Sequence, residues 1–138
     1  MNFPKIITGR QTGVERTALK WAIANGVPHE QGEMEDNVLR SGLTLVFTDR
    51  AKVELHTGIL RFGILRARIV LDLAKYHNKE YLHLHRKIKY PAQLLEGMMS
   101  SNRIRCIHVS GSTAKEEPNL ENFVHKILDA TAEFLKER

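Results

Sequence analysis

The chain has 138 residues, 42% hydrophobic and 27% charged, a length and balance that suit one soluble domain with its own core. No apolar run approaches the ~20 residues of a membrane span, and the lone Cys106 excludes an internal disulfide or a cysteine metal cluster. The formal charge of +5 suits either a solvated basic surface or attraction to nucleotides, nucleic acid or another polyanion.

In chain order, Lys5-Ile-Ile-Thr8 reads as a short buried strand. Val14, Ala18, Trp21, Ala22 and Asn25 recur at helical spacing, and Asn25-Gly26 stops that helix. Val27-Pro28-His29 reads as a brief extended piece, and Glu33 to Arg40 as a short helix. Leu43 to Thr48 is rich in β-formers and predicts a strand that ends at Asp49-Arg50. Ile59 to Tyr76 is apolar almost all round, which predicts a well-buried helix, in the core or in a dimer interface. Glu80 to His85 is the next strand, and Pro91 to Asn102 a helix with its proline in the first turn. Arg103 to Ser110 is a strand closed by Gly111. After Pro118, Leu120, Phe123, Val124, Ile127, Leu128, Thr131, Phe134 and Leu135 share one helical face, a core stripe.

Strands alternating with helices predict a single α/β domain over 1–138, an open, mainly parallel sheet with helices on both faces. Ligands of such sheets sit outside the carboxyl ends of the strands. Three loops belong there: Gly9 to Gly13, the segment after Thr48, and Gly111 to Lys115.

The first is the most informative. Strand, Gly-Arg-Gln-Thr-Gly turn and helix start is how α/β proteins build an anion site, because glycine admits close approach and the helix N-terminus offers free N–H groups and a favourable dipole. Gly9 and Gly13 would admit a phosphate to the backbone, with Thr12 and Gln11 donating and Arg10 and Arg16 supplying charge. A competing reading makes Thr12 the N-cap, with Glu15 closing a capping box. The segment is neither a Walker loop nor a GxGxxG fingerprint. Thr48, Thr57, Gly58, Gly111 and Ser112 are further ligand candidates from the neighbouring loops.

Other residues point less sharply. Asp72 follows Arg68 by four, the spacing of a helix-surface ion pair. His83 and His85 share one face of a strand, but no HExxH or Cys/His spacing adds a third metal ligand, so no metal site is assigned. Cys106, in mid-strand among apolar residues, reads as a buried thiol rather than a nucleophile. No GxSxG elbow is present, and no catalytic residue is assigned. Met1-Asn2-Phe3-Pro4 lacks signal-peptide features, which with the lone cysteine leads to the expectation of a cytoplasmic protein.

Lys5-Ile-Ile-Thr-Gly-Arg-Gln-Thr-Gly-Val-Glu-Arg-Thr-Ala-Leu19, Trp21-Ala-Ile23 and Gly26-Val-Pro-His29 resemble the opening of the putative molybdenum cofactor carrier family. That family reads Ile-Ser-Gly-Gly-Gln-Thr-Gly-(Ala/Val)-Asp-Arg there. The resemblance continues at Asn37-Val38, Ser41, Thr44 to Phe47, Asp72 to Lys75, Tyr81 to His83, and Val109 to Ser112 with Pro118. It implies a Rossmann-like fold, shared with the lysine-decarboxylase-like (LOG) proteins and the DNA-processing protein A domain. It also implies a nucleotide or molybdenum cofactor bound over Gly9 to Gly13. The chain departs at Arg10, where the family has glycine, and at Glu15, where it has aspartate. It lacks the family's cysteine-bearing loop after His29, its Gly-Gly-Thr turn before the central helix, and the Pro-Arg near Gly111.

The sequence expectation is therefore a binder of a small phosphate-bearing or nucleotide-like anion. Two alternatives stay open. One is a nucleotide N-glycosidase like the LOG relatives, whose Pro-Gly-Gly-x-Gly-Thr-x-x-Glu motif is absent and whose glutamate has Asp72 as its nearest counterpart. The other is a divergent member that has lost its pocket and binds nucleic acid or protein. Symmetric dimers are common, so a homo-oligomer is the expected assembly.

Overall fold

A computed structural model describes residues 2–49 and 62–137, with side chains throughout except at 62–65. The elements are β1 (Lys5–Thr8), α1 (Val14–Ala24), β2 (His29–Gln31), α2 (Met34–Arg40), β3 (Leu43–Phe47), α3 (Phe62–Tyr76), β4 (Tyr81–Leu84), α4 (Pro91–Ser101), β5 (Cys106–Gly111) and α5 (Glu121–Lys136). The five strands form one sheet in the order β2-β1-β5-β3-β4, and every pairing is parallel. The Rossmann-like α/β expectation holds. Thr57 and Gly58, two of the ligand candidates, lie outside the described residues, as does the expected start of the long helix.

Strand alternation assigns the two faces. Ile6, Leu43, Leu45, Phe47, Leu84, Ile107 and Val109 point into the larger core with Val14, Ala18, Trp21 and Ala22 of α1, Leu95 and Met99 of α4, and Val124, Ile127, Leu128 and Leu135 of α5. The intervening residues Val46, His108 and Ser110 face the other way, where Val46 packs on Ala67, Val70 and Leu71 of α3 and on Met34. That second face is partly polar: Thr44, Thr48, His108 and Ser110 are all buried.

Within one chain the long helix is not buried in the core all round. Ala67, Val70, Leu71 and Ala74 of α3 are buried, but Ile69 is 44% and Tyr76 79% exposed. Three and four residues apart, the buried positions form one stripe, so this apolar segment is one-sided. The reading of Cys106 is corrected: it opens β5 and is half-buried, with its Sγ 3.9 Å from Ser41 Oγ. Burial pushes its thiol pKa up.

The chain order creates a crevice. From β1 the chain passes through α1 to β2 at one edge of the sheet, while from β3 it passes through α3 to β4 at the other. β5 lies between β1 and β3, with α1 and α3 on opposite faces. The carboxyl ends of β1, β5 and β3 therefore sit side by side where the winding direction reverses, the usual place for a ligand in an open α/β sheet.

Candidate functional site

All three carboxyl-edge loops meet at that crevice where they are described. Ser112 N–H donates to the Phe47 carbonyl at 3.3 Å, and Val14 N–H donates to the Ser112 carbonyl at 3.2 Å. The Ala114 N–H donates to Thr12 Oγ1 at 3.2 Å. The Asp49 N–H donates to Glu117 Oε1 at 3.1 Å, and Ser112 Oγ donates to the same carboxylate. Arg86 pairs with Asp49 and donates to the Asn119 carbonyl at 2.7 Å. The β1–α1 turn, the end of β3 and the segment after β5 are thus stitched together.

The capping-box reading of the first turn is corrected. Gly13 is the N-cap of α1, and no side chain caps it. Thr12 spends its hydroxyl on Ala114 instead. Gly13 has φ of 79°, a conformation that glycine adopts without a Cβ penalty. A Cβ there would lie 2.5 Å from Ala114 N and 2.6 Å from the Ser112 carbonyl. The glycine serves close packing of one loop on another. Gly111 is required for a similar reason, since a Cβ would run into the Phe47 carbonyl.

Glu15 is the centre of the crevice. It is 1% exposed. Its Oε2 accepts from Arg66 Nε at 2.8 Å and Arg66 Nη2 at 2.7 Å, and from Ser110 Oγ at 2.9 Å. Its Oε1 accepts from the Gln11 backbone N–H at 3.3 Å. The carboxylate lies against Gly9, where a Cβ would collide with Oε1. Two N–H groups of the guanidinium on one carboxylate, with a hydroxyl and a backbone amide besides, satisfy a buried charge well.

Next to this pair is a cavity of about 400 Å³ lined by Gln11, Met34, Arg66, Ile69, Thr113, Lys115 and Glu116. Its volume falls within the roughly 300–1,000 Å³ of small-molecule sites. Met34 and Ile69 give apolar surface, Gln11 and Thr113 give polar groups, Lys115 and the Glu15-paired Arg66 give positive charge, and Glu116 gives negative charge. Thr113 donates through N–H at 3.0 Å and through its hydroxyl to Glu116 Oε1. Glu116 Oε2 is buried and accepts no hydrogen bond among the described residues, as are Thr8 Oγ1 and Asn37 Oδ1 without partners. All three lie toward the carboxyl edge: Thr8 ends β1, and Asn37 Nδ2 donates to the Thr8 carbonyl at 3.2 Å.

The remaining sequence candidates separate. Arg10 is exposed at the turn. Arg16 borders a different groove between α1 and α5, with Lys20, Trp21 and His125. Thr48 is buried, and its hydroxyl lies 2.6 Å from His83 Nε2. His83 and His85 have ring centroids 5.4 Å apart. Burial and, less strongly, His85 push the His83 pKa down to about 4. Burial, then Arg66, pushes His108 down to about 4. Asp72 pairs with Arg68 at 3.1 Å on the exposed side of α3. Among the described residues, no cluster of three or more His, Cys, Asp or Glu is placed to hold a metal.

The sequence marks Ser110-Gly111-Ser112 as a ligand loop or a plain turn and Arg66 as one of three arginines near the missing glycine turn, and it singles out none of Met34, Ile69 or Glu116. The signal for Ser110 lies in the alternation Cys-Ile-His-Val-Ser-Gly, which turns every second residue of β5 toward α3. The signal for Arg66 is its place early in the helix after β3, at the carboxyl edge.

The architecture defines a Rossmann-like α/β protein with a polar, charged hollow at the switch point. It is similar in fold to the crystal structure of the putative molybdenum carrier protein of Syntrophus aciditrophicus SB, with a TM-score of 0.76, 22% sequence identity and 94% of each chain covered. No protein-family model matches the sequence, and no curated protein matches it.

Proposed function

We propose that this protein binds a small phosphate-bearing or nucleotide-like anion at the carboxyl edge of its sheet, in the cavity between the Gly9–Gly13 turn, α3 and the 113–116 loop. One observation carries the reading. Arg66 and Lys115 line one cavity together with Gln11, Thr113 and Glu116 and the apolar pair Met34 and Ile69. Cationic groups suit a phosphate, and an apolar wall suits a flat ring. The buried Glu116 oxygen without a partner adds support, since a donor from a ligand would satisfy it. The net charge of +5 favours anion capture at longer range. The fold shared with the putative molybdenum carrier protein is a reason to test molybdate and phosphate-bearing pterins beside the nucleotides.

Lys115 is exposed, so its substitution tests the site without disturbing the core. Lys115→Glu weakens binding of the best nucleotide or phosphate ligand by about tenfold or more, the order of a reversed charge beside an anion. The melting temperature of the free protein stays within a degree or two. Isothermal titration reads the first and calorimetry the second. Equal affinity in both proteins contradicts this location.

A further inference from the structure

The donors that a strand, glycine turn and helix start offers to an anion are here directed at the protein's own carboxylate. Gln11 N–H, Ser110 Oγ and Arg66 all converge on Glu15. Gly9, the position whose missing Cβ would admit a ligand, has Glu15 Oε1 against it. The bridge joins α1 on one face of the sheet to α3 on the other, over the end of β5. The crevice at the switch point is therefore filled from within.

We infer that the Gly9, Gln11, Ser110 and Arg66 cluster is a complete anion-binding seat whose resident anion is Glu15, and that any incoming anion gains Arg66 only in competition with that carboxylate. This deepens the proposed ligand site and rests on it for the native protein, because Arg66 also lines the cavity. The ligand class is a carboxylate or phosphate oxyanion, the groups matched by a guanidinium fork, a hydroxyl and a backbone N–H. Ser110 and Glu15 are both buried, so a vacated seat is shielded from water and holds an anion more strongly than an exposed arginine does. Glu15 is thus a specificity residue: it keeps the inner seat shut and leaves the ligand the outer side of Arg66. Arg10, replacing a second glycine in the turn, does not enter this network.

Substitution at Glu15 separates the two ideas. Glu15→Gln keeps the inner seat filled but removes the competing charge, so it frees Arg66 for an anion on its outer side. Affinity for inorganic phosphate, followed by isothermal titration at fixed ionic strength, should rise about tenfold or more over native, the order set by one opposing charge at hydrogen-bond distance. Glu15→Ala opens the seat outright. Its melting temperature should rise with formate or acetate, small enough to replace the lost carboxylate, and not with equal ionic strength of chloride. If Glu15→Ala does not fold, Glu15→Gln alone decides. If native protein binds no anion but Glu15→Gln binds phosphate, the self-occupied seat stands and the proposed native ligand site falls. If native protein binds phosphate and Glu15→Gln binds it no better, the ligand site stands and the seat is overturned. If neither variant responds to any oxyanion, the seat is overturned.

Discussion

Two glycines with positive φ distinguish conformation from contact. Gly13 has φ of 79° and Gly26 φ of 66°. Around Gly26 a Cβ would meet nothing within 4 Å, whereas at Gly13 it would meet the backbone of the 112–114 loop. Gly26→Ala should therefore cost about 1 kcal/mol, the left-handed backbone term alone. Gly13→Ala should cost about 2 kcal/mol or more, because the loop must also move. Urea midpoints of the two variants check this, and equal losses would show that the loop contact is unimportant. His108 supplies a pH test. Burial and then Arg66 hold its pKa near 4, below the ~6.5 of an unfolded histidine. The unfolded chain thus takes up the proton first. This contribution to stability is full above about pH 6.5 and is lost as pH falls toward 4, on the order of 3 kcal/mol across the window. His108→Asn should flatten the loss measured between pH 7 and pH 5. An unchanged slope would mean that other groups carry it.

At the scale of elements, α5 and α3 behave differently. Leu128 of α5 is fully buried in the larger core, and Leu128→Ala should cost about 2–5 kcal/mol. Ile69 of α3 is 44% exposed, and Ile69→Ala should cost about 1 kcal/mol or less. Chemical denaturation of both variants checks the contrast, and similar losses would contradict it. The stripe of α5 was legible because its apolar residues follow one helical face with polar residues opposite. The α3 segment is less regular as a core helix, because Ile69 and Tyr76 are apolar yet exposed within one chain. β1, β3 and α2 were legible within a residue or two, from short apolar runs bounded by turn residues. The site was harder to read. Gly9 and Gly13 pointed to a turn that does lie at the carboxyl edge of the sheet, and the competing reading of Thr12 as N-cap gives way to tertiary contacts. Thr12 bonds Ala114, which is 102 residues away, and Glu15 bonds Arg66 and Ser110, which are 51 and 95 residues away. A local capping rule has no access to partners so distant in sequence.

At the scale of the molecule, the order β2-β1-β5-β3-β4 does the positioning. By inserting β5 between β1 and β3, the fold brings Ser110, Glu15 and the 112–116 loop to one crevice, and α3 delivers Arg66 from the opposite face. The same placement explains why an arginine-lined cavity lies beside the glycine turn rather than over it. Among the described residues no helix is long and apolar enough to cross a membrane, and the proposed ligand site is the hollow lined by Arg66 and Lys115. Its binding is tested most directly by following the thermal unfolding of the native protein against nucleotides, phosphate, sulfate, molybdate and pterins. A ligand at about 100 times its Kd stabilises the native state by roughly 2.7 kcal/mol, several degrees in a domain of this size. The account predicts a selective rise with one phosphate-bearing ligand, lost in Lys115→Glu. No rise with any anion, or an equal rise in Lys115→Glu, would contradict it.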